Sequence, residues 1–184
     1  ERATGARLFV ETGMLFLARE NDALTMDTVS TLSKLKIPFE KLDRAELVKR
    51  YPQIDFGPIT WAVSEPRSGV LFARRGVQTV ARVFAQEGGT VILGRAEEPA
   101  GEGPVSSLRV GEKTVNAKKF VFACGPWLGK VFPQILGDRI FPTRQEVFYF
   151  GVPPGDDRFA PPKMATWIDF GAEIYGLPDL ETKG

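Results

Sequence analysis

Histidine is absent from all 184 residues of this chain. Its absence removes the Ser-His-Asp and Cys-His forms of nucleophilic catalysis and the usual zinc sites, which draw on imidazole ligands. Cysteine is nearly absent as well. With Cys124 as the one thiol, neither an intramolecular disulfide nor a cysteine metal cluster can form. Such sparing use of cysteine fits a reducing compartment and leads us to expect a cytoplasmic setting. Charge of one sign is also missing: the net charge is +1, which offers no electrostatic attraction to nucleic acid or to an anionic membrane surface. No apolar run approaches the length of a membrane span, and no signal-peptide pattern is found. The chain begins at Glu1 rather than Met, as expected of a piece of something longer.

What is present is apolar and aromatic. Hydrophobic residues make up 43% of the chain, 14 of them Phe, enough for one large domain or two small ones with a true core. The organising stretch is Ala117–Trp127, where the short run Phe120-Val121-Phe122-Ala123 stops at Gly125-Pro126. A run this short with a Gly-Pro stop predicts a buried strand. Strand ends in open α/β sheets are where ligands sit, and glycine lets a backbone approach one closely. Gly125 is therefore the first candidate for cofactor contact. A plain core strand ending in a turn is the alternative, and Cys124 beside it reads as a small hydrophobe.

Taken in order, residues 8–18 predict two short strands around Gly13. Residues 22–35 predict a helix with Leu24, Val29, Leu32 and Leu35 on its apolar side. A strand at Phe39–Leu42 leads into Asp43-Arg44-Ala45-Glu46, which has capping-box spacing and opens a helix ending at Pro52. Ile59–Val63 is a further strand, and Ser68-Gly69 opens a turn. Arg74–Glu87 is the clearest helix, with Val77, Val80, Ala81 and Phe84 forming one stripe and Gly88-Gly89 stopping it. Thr90–Leu93 reads as a strand, and Ser107–Val110 and Thr114–Asn116 as a hairpin around Gly111-Glu112. A short helix to about Leu136, a strand at Val147–Phe150 and two strands at Ala165–Asp169 and Glu173–Leu177 complete the chain. The pattern has no internal repeat and is α+β, an α/β packet held within strand-rich ends.

Candidate chemistry is sparse. Gly101-Glu102-Gly103-Pro104 starts like a dinucleotide fingerprint but follows no strand and lacks the third glycine. Glu97-Glu98 and Asp156-Asp157 read as solvated loop charge. Arg74-Arg75 open a helix, where cations are unfavourable, and hint at a carboxylate or phosphate partner. Tyr175 reads either as a pocket residue or as a half-buried strand tyrosine.

The order of motifs carries more. Glu65-Pro66-Arg67-Ser68-Gly69-Val70-Leu71-Phe72, the 74–87 helix, Gly88-Gly89-Thr90-Val91-Ile92, the hairpin, Phe120–Trp127, Pro142-Thr143-Arg144-Gln145 and Tyr175-Gly176-Leu177-Pro178 follow one another. This resembles the central portion of FAD-dependent oxidoreductases of the D-amino-acid-oxidase superfamily, on the branch of monomeric sarcosine oxidase and N-methyl-amino-acid oxidases, over nearly the whole chain. The resemblance implies an interleaved fold: residues 69–138 in the FAD domain, residues 1–68 and 139–184 in a mostly antiparallel substrate domain. It also implies a partial FAD-binding fold without the Gly-rich first βαβ unit. By the same likeness, backbone at Ala96 and Glu97 would pass the adenosine of FAD, and Cys124, Gly125 and Trp127 would lie near the cofactor. Tyr175 would contact substrate. The implied reaction oxidises the C–N bond of a small-molecule amine or amino acid.

The departures matter too. No Gly-rich fingerprint is present, and the family's oxygen-activating lysine would fall just past Gly184, so Lys183 is not its counterpart and no catalytic residue is assigned. These 184 residues alone are expected to bind flavin weakly and to be inactive. Two rivals stand beside this reading: a flavin dehydrogenase of a hydroxy acid, and a non-catalytic domain without flavin.

Overall fold

The computed structural model describes residues 4–99 and 103–181. Lys183, Gly184 and the start of the 101–106 glycine motif lie outside the described residues. The chain divides into two units, residues 1–83 with 149–184, and residues 84–148.

In the first unit the alternating run Met14–Ala18 forms β2, flanked by β1 (Phe9–Glu11) across Gly13, whose φ of 72° suits glycine at the tight bend. β2 is the centre of a five-stranded sheet of order β3-β4-β2-β8-β9, with β3 at Glu40–Asp43, β4 at Trp61–Glu65, β8 at Thr166–Asp169 and β9 at Ile174–Gly176. Only the β2–β8 pair is parallel, so the mostly antiparallel sheet expected of the ends is present. Strands from both ends of the sequence share it. One face carries the core: Leu15, Leu17, Leu42 and Ala62 pack with Leu47, Phe56, Ile59 and Ala165. Leu47 comes from helix α2 (Arg44–Arg50), whose N-cap Asp43 accepts a 2.8 Å bond from the Glu46 amide. Half of the expected capping box forms; the Glu46 carboxylate turns instead to Arg50 at 3.4 Å.

A second ladder, absent from the sequence reading, pairs β1 with β5 (Gly69–Leu71), where a turn was expected. Gly69 permits it, since a Cβ there would overlap the Val10 carbonyl. Helix α1 (Ala23–Lys34) forms as expected, capped by Asp22. Its apolar stripe buries only in part, however: Val29 and Leu32 are half-buried, Leu24 and Leu35 are exposed, and Thr25 goes inside. Helix α3 (Ala73–Gln86) also forms with its stripe outward, Val77 and Val80 being 72% and 69% exposed. Periodicity reports that a face is apolar; it does not report whether anything covers it.

The second unit holds the hairpin, β6 (Ser107–Val110) and β7 (Lys113–Asn116), turned at Gly111 with φ 61°. It also holds a 3₁₀ turn at Gly125–Trp127 and the short helices α4 (Leu128–Val131) and α5 (Pro133–Leu136). Three expected strands are corrected here. Residues 90–93, 120–123 and 147–150, the last crossing into the first unit, make no ladder among the described residues. Leu93, Val121 and Tyr149 are 96%, 89% and 94% exposed. A strand exists through hydrogen bonds to a neighbour, and apolar composition alone supplies none. No helix among the described residues is long and apolar enough to cross a membrane.

Candidate active site

The sequence candidates fall into three places. In the second unit, Ala96 bridges Val110 antiparallel, and the Glu97 amide donates to the Arg109 carbonyl at 2.9 Å. The Glu97 carboxylate lies 3.4 Å from the Arg109 guanidinium. Residues 95–97 therefore run along the edge of the hairpin as a short third strand, with Ala96 exposed.

Cys124, Gly125 and Trp127 come together in one turn. Gly125 opens it at φ 53°, a left-handed conformation that side chains rarely adopt, and a Cβ placed there would meet nothing within 4 Å. The Trp127 amide donates back to the Cys124 carbonyl at 3.1 Å, and its indole is 63% exposed. Cys124 is half-buried. Just upstream, Phe122 packs edge-on against Phe132, ring centres 4.8 Å apart. The turn is thus anchored by an aromatic contact while its glycine backbone faces open space. A cofactor passing close to a main chain needs such a bare, preset backbone, and the residues present fit one.

Tyr175 stands in the first unit on β9. Strand register sets its surroundings: Tyr175 is opposite Ile168, Ile168 opposite Phe16, and Phe16 opposite Val63. Residues paired in register share a sheet face, so these four, continued by Lys41 opposite Val63 on β3, form one row across the face opposite the Leu15–Leu42 core. Burial falls along the row from Val63, fully buried, through Phe16 and Ile168, half-buried, to Tyr175, 51% exposed. Phe170 stacks on Phe16 with ring centres 6.3 Å apart. In the neighbouring row Thr166 is opposite Met14, and its hydroxyl lies 2.8 Å from that of Thr12. Gly176 is held close beneath the Trp167 indole, which a Cβ would overlap. The result is an apolar floor with one phenol at its open edge, able to orient a small polar molecule by a hydrogen bond while an aliphatic part rests on the floor.

Phe16, Ile168 and Phe170 were not among the sequence candidates. Register alone puts them beside Tyr175, and no single-strand pattern reveals cross-strand partners. Conversely, the loop charges are structural. Asp156 is gripped by Arg158 at 2.7 Å, which with the Arg158 amide pulls its carboxyl down to about 2. Asp169, buried, is bonded bidentately by Arg19 at 2.6 and 2.8 Å and held below the usual carboxylate range. Arg75, one of the pair expected to seek an anion, bonds Glu181 and the Arg7 carbonyl and stacks on Phe72. An open cleft of about 540 Å³ beside α1, lined by Asn21, Met26, Lys41 and Trp61, excludes all the candidates.

The first unit is a mostly antiparallel sheet with an aromatic row on one face, and the second a hairpin followed by an open glycine turn. L-proline dehydrogenase from P. horikoshii has this fold, superposing with a TM-score of 0.63 over 91% of this chain and 46% of its own, at 14% identity. The chain belongs to the FAD dependent oxidoreductase family, DAO, whose model matches residues 1–183. A putative sarcosine oxidase of Caenorhabditis elegans is 27% identical over 100% of the chain and 49% of its own length. The monomeric sarcosine oxidase of Bacillus sp. (strain B-0618) is 26% identical over 97% of the chain and 45% of its own. The chain therefore spans about half the length of these curated relatives.

Proposed function

We propose that this chain forms the central part of an enzyme that oxidises the C–N bond of an amine or N-methyl amino acid. When bound, FAD supplies the two-electron acceptor for the hydride leaving the carbon beside nitrogen. The chain's own residues hold and orient. Tyr175 offers its hydroxyl to the substrate's polar end, and Ile168 and Phe16 receive the apolar part and exclude water from it. Backbone at Gly125, with Cys124 and Trp127, borders the cofactor, and Ala96 and Glu97 border its adenosine. Residues 1–68 and 139–184 serve the substrate side and 69–138 the FAD side. The union of strands from both flanks in one sheet supports grouping 1–68 with the C-terminal residues, while β5, just past residue 68, pairs with β1.

The single observation that carries this reading is the exposed phenol of Tyr175 at the edge of an apolar row. Anaerobic mixing of the FAD-loaded full-length enzyme with sarcosine should bleach the flavin, and Tyr175→Phe should lower kcat/KM about tenfold, the loss of one hydrogen bond to a charged group. Bleaching by a 2-hydroxy acid and not by any amine would replace this reading with the C–O dehydrogenase. Residues 1–184 expressed alone should purify without flavin absorbance, because no glycine loop and helix N-terminus are present in them to hold the pyrophosphate. A yellow preparation would refute that.

A further inference from the structure

We infer that Ile168 sets the upper size of the substrate's side chain and restricts the site to small amino acids. The inference rests on the amine-oxidation reading of the Tyr175 face. Ile168 is directly opposite both Tyr175 on β9 and Phe16 on β2, so its Cβ lies about 5 Å from each of theirs. A group directed from the Tyr175 hydroxyl inward along the row meets Ile168 first.

Ile168 cannot easily step aside. It is β-branched and stiff at χ1. On its own strand the same-face positions two residues away are Thr166, buried and hydrogen-bonding distance from Thr12, and Phe170. Across the sheet, Phe16 is pinned by its stacking on Phe170, at an interplanar angle of 21°. Behind Phe16 stands Val63, which is fully buried, with Lys41 opposite it on the edge strand β3. Ile168, Phe16 and Val63 carry no polar side-chain atom, and Lys41, opposite Val63, lies three strands beyond Ile168, so the group this wall meets is apolar and its limit is one of volume.

The FAD-loaded full-length enzyme should therefore favour sarcosine over N-methyltryptophan in kcat/KM. Ile168→Ala should move that ratio at least tenfold toward N-methyltryptophan, since small differences in fit within an apolar pocket are worth about 10–200-fold. Ile168→Val, which keeps the branch point and should fold normally, should move it less in the same direction. Calorimetric binding of acetate against indole-3-acetate gives the same comparison without turnover, and the Ala variant should tighten indole-3-acetate selectively. Unchanged ratios in both variants with unchanged melting temperature, or a wild-type preference for the bulky member of each pair, would overturn the inference. If no amine bleaches the flavin, the reaction assignment fails, and the carboxylate binding ratio still decides the role of Ile168.

Discussion

The two units of this chain were written in similar amino acids and end in different physical states. Every buried side chain among the described residues lies in the first unit. There the five-stranded sheet closes over Leu15, Leu17, Leu42 and Leu47. Residues 84–148 bury none, although they include Val91, Ile92, Leu93, Val121, Trp127, Phe141 and Phe148, all more than a third exposed. Hydrophobic content is therefore a poor guide to which part of a chain makes its own core. What separates the units is pairing: β2 has a hydrogen-bonded neighbour on each side, whereas residues 120–123 have none among the described residues.

The sharpest way to break this comparison is to delete side chains in each unit. Leu15→Ala should cost about 3 kcal/mol, the usual penalty for emptying a fully buried leucine site. Val121→Ala should change stability by less than about 0.5 kcal/mol, as for an exposed position. Chemical denaturation of both variants measures the difference, and equal losses would mean that residues 120–123 are buried after all. Hydrogen exchange sharpens the same contrast. Amides of β2 and β4 should be protected to near the global unfolding free energy, and those of 90–93, 120–123 and 147–150 should exchange early.

A smaller effect probes the inside of the first unit. Thr25 is fully buried, and its hydroxyl finds no partner among the described residues. Burying an unsatisfied hydroxyl is costly, and an apolar group of the same shape removes that cost. Thr25→Val should raise stability by about 1 kcal/mol in thermal or denaturant unfolding. A loss of stability would mean that the hydroxyl is satisfied, for instance by water.

Legibility in the sequence followed the range of the interaction. Features set within a few residues could be read: the Asp43 cap, the Gly88 stop at φ 93°, the Gly111 hairpin and both long helices. The family was legible because the order of motifs survives where no single motif is strong. Features set by distant partners could not be read. β5 was missed because its partner β1 lies some sixty positions upstream, and three apolar runs were read as strands without knowing that they lacked neighbours. The candidate site divides the same way. Gly125 and Tyr175 were visible as residues, while Ile168 and Phe16 emerged only from register between β2, β8 and β9.

The smallest predicted effect concerns acid. Asp156 and Asp169 are both held below their ordinary range by arginines, in each case chiefly through side-chain hydrogen bonds. A carboxyl whose folded pKa is depressed stabilises the fold fully above its unfolded value, about 3.9, and loses that contribution as pH falls through the folded value. For Asp156 the window runs from about pH 4 down to about 2. Arg158 is well exposed, so screening keeps the Asp156 contribution small. Asp169 is buried against Arg19 and should matter more. Melting temperature recorded from pH 6 to pH 2 should fall across this window, and Asp169→Asn should flatten the fall more than Asp156→Asn. Both pairs belong to the first unit, so the loss should appear as cooperative melting of the five-stranded sheet. An acid transition untouched by either substitution would place the responsible carboxyls elsewhere.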